Sequence, residues 1–166
     1  MKQLILLCLI PTLSYSQITF NDIMSINSLN TFKRVMIENG FEKSDSDNED
    51  LIWFGFNINL DDDEPKSSFW GRYDKDNGEF RFQISIKTGG ETDWFGRETN
   101  SEYVEGSVYD IIVEKIKKNC KYYDIIEKDD LDYVCYSCSQ STYKGKIGFT
   151  KINGFGMIDH IIPTEE

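Results

Sequence analysis

Phe80-Arg81-Phe82-Gln83-Ile84-Ser85-Ile86-Lys87 decides the fold, because apolar and polar residues alternate along it without a break. Successive side chains of an extended chain point to opposite sides. Phe80, Phe82, Ile84 and Ile86 therefore share one face, while Arg81, Gln83, Ser85 and Lys87 share the other. A strand of this kind needs cover on one side only, which an antiparallel sheet with helices on one face supplies.

The same logic extends upstream. Asp74-Lys75-Asp76-Asn77-Gly78 carries Asn-Gly turn chemistry and joins a strand-like run over 68–73 to the deciding strand. In 51–60, Ile52, Phe54, Phe56, Ile58 and Leu60 alternate with Trp53, Gly55, Asn57 and Asn59. Before them, Asn21 and Asp22 open a helical stretch with Ile23 and Ile26 as apolar positions. Ser28 offers a second cap, followed by Leu29, Phe32, Val35 and Met36 at helical spacing and by Gly40 as a stop. The pattern fits one bent helix or two short ones.

Downstream, 88–106 reads as a connector, with Gly89-Gly90, Gly96 and Gly106 around Trp94 and Phe95. Ser107 caps a helix running to Asn119, with Val108, Ile111, Ile112 and Ile116 as its buried stripe. Strand-like runs follow at 122–127, 132–139, 146–152 and 155–162, separated by Asp129-Asp130, Lys144-Gly145 and Asn153-Gly154.

At an offset of eighty residues Phe32 falls on Ile112, Met36 on Ile116, Asn39 on Asn119, Leu51 on Leu131, Trp53 on Tyr133 and Phe69 on Phe149. The expected fold is α+β: two degenerate helix-plus-antiparallel-strands units, about 21–87 and 107–162, in one domain over 17–166. Chance alignment of two such stretches is the alternative to duplication, and the fold class is the same in either case. The arrangement resembles, in topology, the small secretion-chaperone-like domains of bacteria, with no motif to carry their function over.

Residues 1–16 read as an export signal. Lys2 precedes the apolar run Leu4–Ile10, and Ser14-Tyr15-Ser16 presents small residues before Gln17. The run is far shorter than the roughly 20 apolar residues of a bilayer span. Cys8 lies inside the run and follows Leu6 and Leu7, which does not fit a lipid-anchor site. The Ser-Tyr-Ser-Gln ending resembles the export signals of Bacteroidota, and the chain as a whole resembles the small exported proteins of that group, which implies a periplasmic or secreted protein but no activity.

The chain has 166 residues and a formal charge of −11, so a single core is expected and a polyanionic partner is disfavoured. Neither nucleic acid nor insertion into a membrane after signal removal is expected; a protein partner with a basic surface suits the balance better. Aromatic residues at 14% exclude wholesale disorder.

Three cysteines follow the export signal: Cys120, Cys135 and Cys138. Positions three apart in a strand face opposite ways, so Cys120 is the expected disulfide partner of either Cys135 or Cys138 rather than those two of each other. The same sulfurs with His160 have ligand types that zinc accepts, but at a spacing unlike any zinc knuckle or ribbon. His160 is the single histidine, and no G-x-S-x-G elbow accompanies it, so it reads as structural or surface-exposed. The acidic clusters at 45–50, 61–64 and Asp74/Asp76 fail the EF-hand pattern and read as solvated loops. No cofactor or metal is implied.

Trp53, Trp70 and Trp94 are the candidate binding residues. Trp53 opposes the phase of Phe54 and Phe56, and Trp70 opposes Phe69 and Tyr73. Aromatics on the uncovered side of a sheet anchor interfaces, unless the 88–106 connector covers them. The expected function is therefore a non-enzymatic protein-binding module. The alternatives are a small extracytoplasmic hydrolase using a carboxylate pair and a glycan binder with an aromatic platform.

Overall fold

A computed structural model describes residues 18–45, 48–58, 67–88, 91–92, 98–99 and 102–163. The export-signal reading over 1–16 and Trp94 lie outside these residues. Three helices, α1 (Phe20–Ser25), α2 (Leu29–Glu38) and α3 (Val108–Asn119), lie on one face of an eight-stranded antiparallel sheet. Its strands are β1 (Phe41–Ser44), β2 (Leu51–Phe56), β3 (Phe69–Asp74), β4 (Phe80–Ser85), β9 (Lys121–Lys128), β10 (Leu131–Ser137), β11 (Lys146–Ile152) and β12 (Phe155–Ile161). They run in the order β1-β2-β3-β4-β12-β11-β10-β9. Four short strands, β5 (Lys87–Thr88), β6 (Glu91–Thr92), β7 (Glu98–Thr99) and β8 (Glu102–Tyr103), pair outside it as β5-β8 and β6-β7.

The α+β architecture expected from the sequence is the one observed. Phe80, Phe82, Ile84 and Ile86 are all buried, and the alternation seen along 80–87 repeats in β2 and β3. The first helical stretch is two helices rather than one bent one, because each has its own capping box. Thr19 exchanges hydrogen bonds with Asp22, and Ser28 does so with Thr31. The hairpin before β4 is held by Asp74, whose carboxylate accepts from the Asp76 amide and from Asn77 Nδ2, with Gly78 in the left-handed region. That acidic residue is thus occupied in its own turn.

Two elements differ from expectation. Phe41-Glu42-Lys43-Ser44 forms β1, a strand too short to show a period, and its pairing with β2 is what makes it one. The segment read as an irregular connector contains the pairs β5-β8 and β6-β7.

The topology repeats as helix plus four-strand meander, α2-β1-β2-β3-β4 and α3-β9-β10-β11-β12, with β4 and β12 meeting at the centre. Equivalent positions do equivalent work. Asn39 Nδ2 donates to the Val35 carbonyl at 2.9 Å, and Asn119 Nδ2 to the Lys115 carbonyl at 2.8 Å, each satisfying a carbonyl of the last helical turn. Each helix also approaches the sheet over a glycine. A Cβ on Gly71 would lie 2.4 Å from Met36 Cε of α2, and one on Gly156 would lie 2.2 Å from the Tyr109 ring of α3. The spacing of eighty lapses after β10, where the connection to the next strand is shorter in the second half.

Cys120, just past α3, is bonded to Cys138, at the end of β10. Cys138 belongs to the helix-side core, whereas Cys135 lies in a second cluster with Tyr133, Met157 and Ile161 on the opposite face. That division is what strand alternation dictates. Burial pushes the Cys135 thiol up to about 11, and its Sγ sits 3.4 Å from the Tyr133 carbonyl, so it is an inert packing residue.

Candidate functional site

The face opposite the helices is divided in two. Over β10, β11 and β12 it closes on the cluster of Tyr133, Cys135, Met157 and Ile161. A clamp holds that closure. Arg81 Nε donates to both carboxylate oxygens of Asp159 at 2.9 and 2.8 Å, and Nη2 reaches Asp129 at 2.8 Å and the Tyr133 hydroxyl at 3.3 Å. Asp159 is adjacent to Arg81 across β12 and β4, but Asp129 belongs to the β9–β10 turn, three strands away. Lys128 and Glu79 make a second link between the same two places, and the Ile162 amide donates to Glu79. The sheet is therefore coiled so that the β9–β10 hairpin tip meets the start of β4.

Burial works against the charge on Arg81, yet its bonds to Asp159 and Asp129 prevail and hold its pKa above the ordinary value. The Arg81 bond holds the exposed Asp129 below the usual carboxylate range. Burial pushes Asp159 up, against the pull of Arg81. Two carboxyl groups shifted in opposite directions are what an acid–base pair requires. Here, however, both Asp159 oxygens are held by the guanidinium and its side chain is 2% exposed, so no substrate can reach it. The geometry is that of a structural clamp.

Over β2 and β3 the same face is different. Trp53 pairs with Arg72 and Gly55 with Trp70 across the two strands. The Trp70 ring lies over Gly55, where a Cβ would come within 2.8 Å of it. The Trp53 and Trp70 rings meet edge to face at 6.2 Å, and the Arg72 guanidinium stands 5.7 Å from the Trp53 centroid. All three residues are half-buried. Arg72 also lies directly opposite Arg81, an arrangement of like charges that the two aspartates on Arg81 offset.

The structure thus brings Trp53 and Trp70 together, while Trp94 is outside the described residues. Sequence reasoning missed Arg72, although its signal was available: two positions after Trp70 in a strand, it must share that residue's face. The Arg81–Asp159 pair, 78 residues apart, carried one clue, a lone carboxylate in the apolar run 155–162.

His160 is structural. It is buried, with its ring 5.0 Å from Phe80 and 4.6 Å from Tyr143, and Nε2 donates to the Lys144 carbonyl at 2.6 Å. Nδ1 has no hydrogen-bond partner. Burial lowers its pKa, against the Lys144 bond and the charge of Glu79, so the ring is neutral at pH 7. An unfolded chain protonates it near the ordinary value of about 6.5. Its contribution to stability is accordingly complete above that value and declines as pH falls through it toward the lower folded-state pKa. Urea denaturation between about pH 7.5 and 5.5 should show this decline in the native sequence and a flatter profile in His160→Gln. Parallel profiles would contradict the assignment.

Cys120 and Cys138 are bonded to one another and unavailable to a metal, and among the described residues no group of three or more His, Cys, Asp or Glu converges on a metal-sized site. Also among the described residues, no helix is long and apolar enough to cross a membrane. Comparison of the chain with protein-family models, curated proteins and solved structures gave no match.

Proposed function

We propose that the protein is an exported, non-enzymatic binding module whose contact surface is the β2–β3 half of the sheet face opposite the helices. The observation that carries this reading is the half-buried pair Trp53 and Trp70 with the Arg72 guanidinium over Trp53. Large aromatics and arginine are the residue types that dominate the binding energy of protein interfaces. The hydrolase reading is disfavoured by the occupation of Asp159 and Asp129 by Arg81. Arg72 gives the patch a positive charge within an acidic chain. Glu42 of β1, opposite Gly55, lies on the same face, so the patch offers a docking protein both a cation and a carboxylate beside its aromatic rings.

Capture from an envelope fraction by the immobilised mature chain tests the proposal. Trp53→Ala with Trp70→Ala should lose the captured protein while keeping the circular dichroism of the parent. Undiminished capture would remove the surface from consideration. Retention of the double variant's parent on a polysaccharide column, with no protein captured, would favour the glycan-platform reading instead.

A further inference from the structure

Tyr103, Asp110 and Lys151 come from three elements, β8, α3 and β11, and together line a cleft of about 490 Å3. The Tyr103 hydroxyl donates to Asp110 Oδ1 at 2.5 Å and accepts from Lys151 Nζ at 2.5 Å. Lys151 Nζ also lies 3.4 Å from that carboxylate oxygen, and Ser107 Oγ donates to the other one at 2.9 Å. The backbone fixes each of the three. Tyr103 pairs with Lys87, and the next amide, of Val104, donates to the Ile86 carbonyl. Asp110 stands in the first turn of α3, capped by Ser107, and Lys151 lies opposite Gly156 in β12. Burial works against the charges of Asp110 and Lys151. Their bonds to Tyr103 and to each other nevertheless hold the carboxyl below its usual range and the amine above its own. Both are charged at pH 7.

We propose that Tyr103 is a site of covalent acylation, taking the acyl group of an activated carboxylic ester whose aliphatic chain lies in this cleft. A hydroxyl becomes a nucleophile when a base stands within hydrogen-bond reach and a third group orients that base. Asp110 is that base and Ser107 its orienting group, while the Lys151 ammonium stabilises the charge that develops on the oxygen. As Tyr103 Oη attacks the acyl carbon, its proton passes to Asp110. The adduct collapses by cleavage of the bond to the leaving oxygen, which takes the proton and departs as the alcohol, leaving a tyrosyl ester. Access separates this site from the Arg81 clamp: Asp159 is enclosed, whereas Tyr103 is 44% exposed. Tyr109, Val113 and Phe149 are buried and give the same cleft its apolar wall, and the Tyr109 hydroxyl is already spent on the Thr150 carbonyl. The site is on the helix side of the sheet, away from Trp53 and Trp70, so the modification is independent of the binding surface.

Treatment of the native chain with p-nitrophenyl butyrate near neutral pH, followed by peptide mass mapping over a time course, tests this. Tyr103 is expected to gain the butyryl group about tenfold or more faster than Tyr122 and Tyr123. Those two are as exposed, and among the described residues no carboxylate is bonded to either hydroxyl. Asp110→Asn, which keeps the size and an acceptor oxygen, should slow Tyr103 by about tenfold or more and leave Tyr122 and Tyr123 unchanged. Lys151→Met should slow Tyr103 in the same selective way. Butyrylation of Tyr103 no faster than of the two β9 tyrosines would overturn the proposal, and that comparison needs no variant. So would an Asp110→Asn chain with native circular dichroism that acylates Tyr103 at the native rate.

Discussion

Asp159→Ala should destabilise the protein by about 3–5 kcal/mol, the usual consequence of leaving one partner of a buried ion pair behind. The Arg81 side chain is 12% exposed, and its Nε has both Asp159 oxygens as acceptors. Without that carboxylate, only Asp129 and the Tyr133 hydroxyl remain for the buried cation, and they reach Nη2 alone. The loss is of a compensated charge rather than of a strong attraction. The double variant Arg81→Met with Asp159→Leu, similar in volume and without charge, should therefore recover most of the stability. Urea denaturation of the single and double variants decides the matter. Equal losses would mean that the pair is valuable in itself, contrary to the desolvation argument.

Phe82→Ala should cost a similar amount, about 3–5 kcal/mol. Phe82 is fully buried, and its ring centroid lies 5.7, 6.1 and 6.2 Å from those of Phe80, Phe69 and Phe32. It sits on β4, where the two halves of the sheet join, and it touches α2 through Phe32. Removing the ring leaves a cavity walled by aromatics held on three different elements, so collapse around it is limited. The prediction is read from the midpoint of denaturation at unchanged slope. A loss below about 1.5 kcal/mol would be the cost of a tolerated, volume-conserving swap and would place Phe82 outside a tightly packed core.

Phe82 belongs to the stretch from which the architecture was legible, and the reason is local. In β2, β3 and β4 one face is buried under helices and the other is not, so the two faces carry different residue types at period two. The caps at Ser28 and Ser107 were equally readable, because each satisfies an amide three positions on in its own helix. β1 was not readable, since four residues hold no period and its partner is brought by a turn. The disulfide could be narrowed to two choices by alternation, but only the packing of Cys138 with the helices and of Cys135 away from them separates those choices.

For the surface proposed to bind, Trp53 and Trp70 followed from strand phase, whereas the closure of the other half of that face did not. The closure depends on Arg81 reaching Asp129 across three strands, a consequence of sheet coiling that no local pattern encodes. The same coiling explains how the second face holds buried residues such as Tyr133 and Met157, although the described helices all lie on the other face.

The most direct test of the central claim, that the β2–β3 half of this face meets the partner, is oxidative footprinting of the native chain with and without its captured protein. The account predicts that the Trp53 and Trp70 indoles lose reactivity in the complex while the exposed Tyr122 and Tyr123 of β9 keep the reactivity they have in the free protein. Indoles that oxidise equally in both states, with protection appearing elsewhere on the chain, would contradict it.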